Sequence, residues 1–188
     1  MSGAPAICVF CGAKSGHGER FAEAARATGE LAARNGWSLV YGGGHVGLMG
    51  ELADGALAAG GEVIGVIPSR LQRAEVAHPG LARLEVVPDM AARKSRMIEI
   101  SDAFAALPGG LGTLDELYEV LTLSQLAYHA KPMFLVNVDG FFDRLIAFAR
   151  HQIDTGLIVP DHWERMQVVD SPQSLFEALR AAAPRPVS

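Results

Sequence analysis

The residues best suited to chemistry lie in one glycine-rich run in the second half of the chain. A short apolar segment is followed there by Leu107-Pro108-Gly109-Gly110-Leu111-Gly112-Thr113-Leu114-Asp115-Glu116. Where such a run opens a helix, the free amide hydrogens of Gly110, Gly112 and Thr113 point outward with the helix dipole behind them, which suits a phosphate group. The run has no lysine at the Walker position, which disfavours a P-loop nucleotide triphosphatase. It favours a monophosphate held mainly by neutral donors.

The same run has a second interpretation that requires no ligand. Thr113 and Glu116 have the T-x-x-E spacing of a capping box, in which two side chains satisfy backbone amides at the start of a helix. The spacing alone does not distinguish a cap from a binding site. The local sequence therefore supports both interpretations.

A second glycine cluster lies in the first half of the chain, between Tyr41 and Gly50. It follows a predicted strand and precedes a predicted helix, so its glycines would allow close backbone approach to a ligand. We predict Gly43 and Gly44 as substrate contacts on this basis. The cluster has no G-x-G-x-x-G spacing for a dinucleotide, and simple turn chemistry explains it equally well.

Several segments together resemble one protein family. They are Pro108-Gly109-Gly110-x-Gly112-Thr113-x-x-Glu116, Met90-Ala91-Ala92-Arg93-Lys94, Ser101-Asp102-Ala103-Phe104, Cys8-Val9-Phe10-Cys11-Gly12, Val40-Tyr41-Gly42-Gly43-Gly44, Val63-Ile64-Gly65-Val66-Ile67-Pro68, Lys131-Pro132 and Asn137-Val138-Asp139-Gly140. In this order they are similar to the LONELY GUY family of cytokinin riboside 5′-monophosphate phosphoribohydrolases. Proteins of this type are often labelled lysine decarboxylases, although nothing here resembles a pyridoxal-phosphate lysine site. The departures are small: Leu111 stands where an aromatic residue is frequent, and Asp115 replaces a common second glutamate.

The resemblance implies hydrolysis of a nucleoside 5′-monophosphate to a free base, such as an N6-prenylated adenine, and ribose 5-phosphate. It implies that Arg93 and Glu116 form the catalytic pair. The remaining residues that it places at the substrate are Glu75, Lys94, Gly109, Gly110, Leu111, Gly112, Thr113, Leu114, Asp115 and Thr122. Two alternatives stay open: a nucleosidase acting mainly on unmodified AMP, and a non-catalytic nucleotide or cofactor carrier.

The chemistry of this reaction assigns roles to the pair. Breaking the C1′–N9 bond builds positive charge on the ribose, which the carboxylate of Glu116 could stabilise while it accepts a proton from the attacking water. Arg93 keeps its proton at working pH, so we interpret it as a clamp rather than a general acid. Lys94 lies about 100° further round the same helix and would face elsewhere, towards the phosphate of a neighbouring subunit. Without the resemblance, the ordinary interpretation of Arg93 and Lys94 is that both lie on a solvent-exposed face of the helix.

These residues need a scaffold, and the alternation of apolar runs with alanine-rich helical segments predicts one. We expect an α/β, Rossmann-like three-layer sandwich with a seven-stranded, mainly parallel sheet, built as a single domain over residues 1–188. The predicted strands are Ala6–Phe10, Ser38–Tyr41, Val63–Ile67, Leu84–Val87, Ala103–Leu107, Met133–Asn137 and Met166–Val169. The predicted helices are Glu19–Asn35, Gly47–Ala59, Met90–Ser101, Leu114–Tyr128, Gly140–Thr155 and Ser171–Ala182.

Composition narrows the function classes. A formal charge of −5 disfavours binding to nucleic acid, which is itself a polyanion. No apolar stretch is long enough to span a membrane, so we expect a cytoplasmic protein. Cys8 and Cys11 form a C-x-x-C, but strand alternation sends them to opposite faces, which favours buried thiols over a redox pair. The six histidines lack metal-ligand spacing, so neither a metal nor a cofactor is expected.

The wide apolar surface of the helix from Leu114 indicates subunit packing in a homodimer.

Overall fold

A computed structural model describes residues 3–72 and 77–182 of the chain. Seven strands form one sheet in the order β4-β3-β2-β1-β5-β6-β7, and all six pairings are parallel. The strands are β1 (Ala6–Phe10), β2 (Ser38–Tyr41), β3 (Val63–Pro68), β4 (Arg83–Val87), β5 (Ala103–Ala106), β6 (Met133–Val136) and β7 (Met166–Val169). The predicted fold class and all seven strands are confirmed, with ends shifted by at most one residue.

Helices cover both faces of this sheet. They are α1 (Arg20–Arg34), α2 (Gly47–Ala58), α3 (Ser69–Gln72), α4 (Met90–Glu99), α5 (Leu111–Gln125), α6 (Asp143–Asp154), α7 (Pro160–Glu164) and α8 (Pro172–Ala182). Because the central strands are buried on both faces, their sequences are continuous apolar runs rather than alternating ones. None of the helices in the described ranges is long and apolar enough to cross a membrane.

Two apolar cores lie on opposite sides of the sheet. One packs β-strand side chains against α1, α2 and α8, with Leu52 and Phe176 at its centre. The other packs against α4, α5, α6 and α7 and includes Phe104 and Trp163. Cys8 belongs to the second core and Cys11 to the first, both as free thiols, which confirms that the C-x-x-C is not a facing pair. Burial raises the pKa of Cys11 above its ordinary range, as expected of an unreactive thiol.

Two helix predictions were wrong at their N-termini. Helix α5 begins at Leu111 rather than Leu114, because Gly110 serves as its N-cap in an extended conformation and the residues after it are already helical. Helix α6 begins at Asp143 rather than Gly140, because the chain first makes a 3₁₀ turn in which Asp139 and Gly140 have positive φ. The side chain of Asn137 holds that turn by accepting from the amide of Phe142 at 2.7 Å.

The order of the strands locates the binding crevice. From β1 the chain builds the sheet outward through β2, β3 and β4, and from β5 it builds outward in the other direction. The loops that follow β1 and β5 therefore diverge at the carboxyl edge of the sheet. Open parallel sheets bind ligands at such a switch point.

Candidate active site

A cavity of about 500 Å³ lies at this switch point, within the size range of small-molecule sites. Its walls come from the loop after β1, from helices α1 to α4, from the turn before α6, and from the loop between β5 and α5 together with the start of α5. Its lining includes Lys14, Arg93, Thr113 and Glu116. The cavity therefore gathers charged side chains from elements far apart in the sequence.

The N-terminus of α5 forms one wall of the cavity. The amide of Leu114 donates to the carbonyl of Gly110 at 3.2 Å, so the amides of residues 111–113 precede the first hydrogen bond of the helix. Thr113 is buried in the first turn, and the cap is Gly110 without a side-chain hydrogen bond. The capping-box interpretation is thus wrong, because it requires Thr113 itself at the cap. The open amides remain for a ligand.

The local sequence explains the shape of this wall. A Cβ at Gly109 would overlap the hydroxyl and the Cβ of Thr113, so only glycine lets the turn fold over that side chain. Cβ atoms at Gly110 and Gly112 would meet nothing within 4 Å, which places both positions at the open side of the turn. Leu111 is 88% exposed at the same edge.

Arg93 approaches the cavity from the first turn of α4. The carboxylate of Asp89 caps this helix by accepting from the amide of Ala92 at 2.8 Å. Arg93 is 7% exposed, yet its Nε has no hydrogen-bond partner among the described residues. Its Nη2 lies 3.8 Å from Oε1 of Glu116, a loose ion pair. A buried guanidinium with an unpaired Nε–H is costly, and such unpaired buried groups are concentrated at functional sites.

Glu116 stands on α5 opposite this arginine and is 8% exposed. Burial raises the pKa of Glu116 to about 7, against the lowering effect of Arg93, while Asp115 raises it further. A carboxyl group that titrates near neutral pH can both hold and release a proton under physiological conditions. This is the property required of a general base or acid.

The site also depends on Gly42, which the sequence analysis did not single out. A Cβ at this position would overlap Nη2 of Arg93. Gly42 therefore leaves the space that the guanidinium occupies. The G-G-G run was a visible signal, but the partner that needs the space lies 51 positions away in the sequence.

The predicted site residues fall into two groups in the structure. Arg93, Glu116 and residues 109–113 line the cavity. A separate surface pocket is lined by Lys94, Leu114, Asp115, Tyr118, Glu119, Thr122 and Leu123. There Nζ of Lys94 forms ion pairs with Asp115 at 2.9 Å and Glu119 at 2.6 Å. Lys94 thus faces away from the Arg93–Glu116 pair, as its helical spacing indicated.

Two further predicted residues, Gly43 and Gly44, lie elsewhere. Gly43 adopts a positive φ of 78° and packs beneath Ile67 and Leu84, and Gly44 forms an antiparallel bridge with Ala77. Neither lines the cavity. Glu75 lies outside the described residues.

Sequence reasoning missed most of the apolar side chains around the cavity. Phe21 and Phe141 meet edge to face with ring centroids 5.4 Å apart. Leu48, Met49, Leu71 and Met90 also belong to the lining. These six residues come from α1, α2, α3, α4 and the turn before α6 and share no sequence motif. Only the fold brings them together.

Known proteins are similar to this chain over most of its length. Residues 49–179 match the family model described as "Possible lysine decarboxylase". A cytokinin riboside 5′-monophosphate phosphoribohydrolase of Rhodococcoides fascians is 44% identical over 93% of this chain and 89% of its own. One of Arabidopsis thaliana is 42% identical over 95% of this chain and 84% of its own.

Solved structures share the fold. A molybdenum cofactor binding protein from Rippkaea orientalis has 26% identity and a TM-score of 0.75, covering 98% of this chain and 100% of its own. The molybdenum cofactor carrier protein of Chlamydomonas reinhardtii has 24% identity and a TM-score of 0.71, covering 95% and 97%. The second likeness concerns the fold alone.

Proposed function

This chain belongs to the LONELY GUY family of cytokinin riboside 5′-monophosphate phosphoribohydrolases, and from this premise we propose that it hydrolyses N6-substituted AMP to a free cytokinin base and ribose 5-phosphate. The observation that carries the proposal is the arrangement of one cavity. Open amides at the start of α5 and the buried Arg93–Glu116 pair line the same space. The first feature suits a phosphate monoester, and the second suits a developing positive charge.

The proposed binding mode places the phosphate of the substrate at the start of α5. The phosphate accepts from the amides of residues 111–113 and from the hydroxyl of Thr113. The ribose then extends towards Glu116, whose buried carboxylate faces the anomeric carbon. Because the phosphate is bound at a distance from the scissile bond, its binding energy positions the sugar for reaction.

In the reaction, water attacks C1′ as the C1′–N9 bond breaks, and the electron pair of that bond leaves with the base. The ionised carboxylate of Glu116 stabilises the oxocarbenium-like ribose and accepts a proton from the water, while the departing base takes up a proton from solvent. Glu116 then releases its proton to solvent, which restores the carboxylate. Arg93 holds this carboxylate, and its guanidinium orients a ribose or phosphate oxygen. It transfers no proton, since a guanidinium stays protonated.

The cavity wall favours an apolar substituent on the base over unmodified AMP. The large apolar side chains of this wall include Phe21, Leu48, Met49, Leu71, Met90 and Phe141. A five-carbon N6 group buried against such side chains would favour the substituted nucleotide by about 1–3 kcal/mol over AMP. AMP would then be a slower substrate of the same site.

We also propose a homodimer that pairs through the outer face of α5. Leu117, Val120 and Leu121 are buried in the chain's own core, whereas Leu126 and Tyr128 are largely exposed. The pocket around Lys94 lies on this outer face and contains the partly exposed Leu114, Tyr118 and Leu123. A second copy would cover this surface.

The chain is further proposed to act as a single domain in the cytoplasm, where its two free cysteines would stay reduced.

The test is direct incubation of the protein with isopentenyladenosine monophosphate, AMP and isopentenyladenosine, with free base followed by chromatography. We expect fast release from the first, slower release from the second and none from the third. A carrier would bind nucleotide and release no base. Equal cleavage of the riboside and the monophosphate would overturn the phosphate-binding role of α5.

A further inference from the structure

We propose that Lys14 supplies the positive charge of the phosphate subsite, in place of the lysine that the glycine-rich run itself lacks. This inference rests on the proposed function and deepens it. Lys14 lies in the loop after β1, across the switch point from the start of α5. It lines the same cavity as residues 109–113.

The backbone of this loop is held against the phosphate-binding wall. The amide of Gly12 donates to the carbonyl of Pro108 at 3.1 Å. A Cβ at Gly12 would lie 3.0 Å from the carbonyl oxygen of Lys14 and 3.3 Å from the Cα of Gly109. The two loops therefore touch, and the four-carbon stem of Lys14 starts beside the turn that leads into α5.

The opposite side of the loop is equally confined. Gly47, at the start of α2, has a positive φ of 61°, and a Cβ there would overlap the backbone of Ala13 and lie 2.5 Å from the amide nitrogen of Lys14. The backbone around Lys14 thus packs against the start of α2 on one side and against the turn at Gly109 on the other. Its position follows from close backbone packing on both sides, although its side chain is exposed.

The charges of the cavity point to the same role. Among the described residues of its lining, the charged side chains are Lys14, Arg93 and Glu116. Arg93 and Glu116 offset each other. No ion pair links Lys14 to another described residue. The lining of the cavity therefore carries one surplus positive charge, which matches an anionic phosphate held otherwise by neutral amides.

Lys14→Met tests this role, because it removes the ammonium group and keeps an apolar stem of similar length. We expect KM for isopentenyladenosine monophosphate to rise by roughly 10- to 100-fold, with kcat changed by less than about threefold. The inhibition constant of ribose 5-phosphate should rise by the same factor, and that of free adenine should stay unchanged. Lys14→Arg should restore most of the affinity.

Arg150→Gln is the matched control, since it removes one exposed positive charge from α6, outside the cavity lining. It should leave both constants unchanged. An unchanged KM in Lys14→Met would overturn the proposal. A lower kcat at constant KM would also overturn it, because that result would place the ammonium group at the departing base instead of the phosphate. Calorimetry of ribose 5-phosphate binding tests the role of Lys14 even if the wild-type protein releases no base. The proposed hydrolase function and the proposed role of Lys14 can therefore be refuted independently.

Discussion

Replacing Glu116 with glutamine is the sharpest perturbation of the proposed chemistry, because it removes one charge while keeping the size of a side chain that is 8% exposed. Burial raises the pKa of this carboxyl from 4.5 to about 7. The ionised form is therefore about 3 kcal/mol less favourable in the folded protein than in water. Positive charge developing on the ribose would relieve this penalty in the transition state.

That relief alone corresponds to a rate factor of about 300, and the loss of the general base adds to it. We expect Glu116→Gln to lower kcat by roughly 10²- to 10⁴-fold at pH 8, with the binding of ribose 5-phosphate changed by less than about threefold. The assay is release of free base from isopentenyladenosine monophosphate at saturating substrate, with calorimetry for the sugar phosphate. Glu177→Gln, on the exposed face of α8, is the matched control and should keep full activity. A kcat within tenfold of wild type would refute the reasoning.

Three further predictions follow from the same geometry. The kcat/KM of the wild type should fall as pH drops through about 7, because burial raises the pKa of Glu116 to about 7 and the carboxyl becomes protonated there, and a flat profile between pH 5.5 and 8.5 would contradict its role as a base. Gly42→Ala should lower kcat by about 10- to 100-fold, since the new methyl group displaces the guanidinium of Arg93, whereas Gly3→Ala, with nothing within 4 Å, should be silent in the same assay. Tyr118→Glu should convert the proposed dimer to a monomer in light scattering, because it buries a charge on the outer face of α5; a wild-type monomer would rule out that interface.

The sequence predicted the scaffold better than the site. Strands such as Val63–Pro68 are buried on both faces, so their composition alone distinguishes them from helices and turns. The start of α5 was misplaced by three residues because Gly110 and Gly112 disfavour helix when judged by intrinsic propensity. In the folded chain Gly110 is the cap, and Gly112 lies within the first turn.

The site depends on contacts that local patterns do not contain. The spacing of Arg93 and Lys94 on one helix predicted that they face different ways, and the structure agrees. The overlap that makes Gly42 necessary, by contrast, involves a side chain on another helix. The contact between the loop that carries Lys14 and the turn at Pro108 and Gly109 likewise arises only because β1 and β5 are neighbours in the sheet. Pairings between distant segments are set by the whole fold.

A structure of the protein with bound ribose 5-phosphate would test the central claim most directly. The account predicts that the phosphate oxygens lie within hydrogen-bond distance of the amides of residues 111–113 and that C1′ faces the carboxylate of Glu116. A phosphate bound in the pocket around Lys94, with the amides at the start of α5 unoccupied, would contradict it.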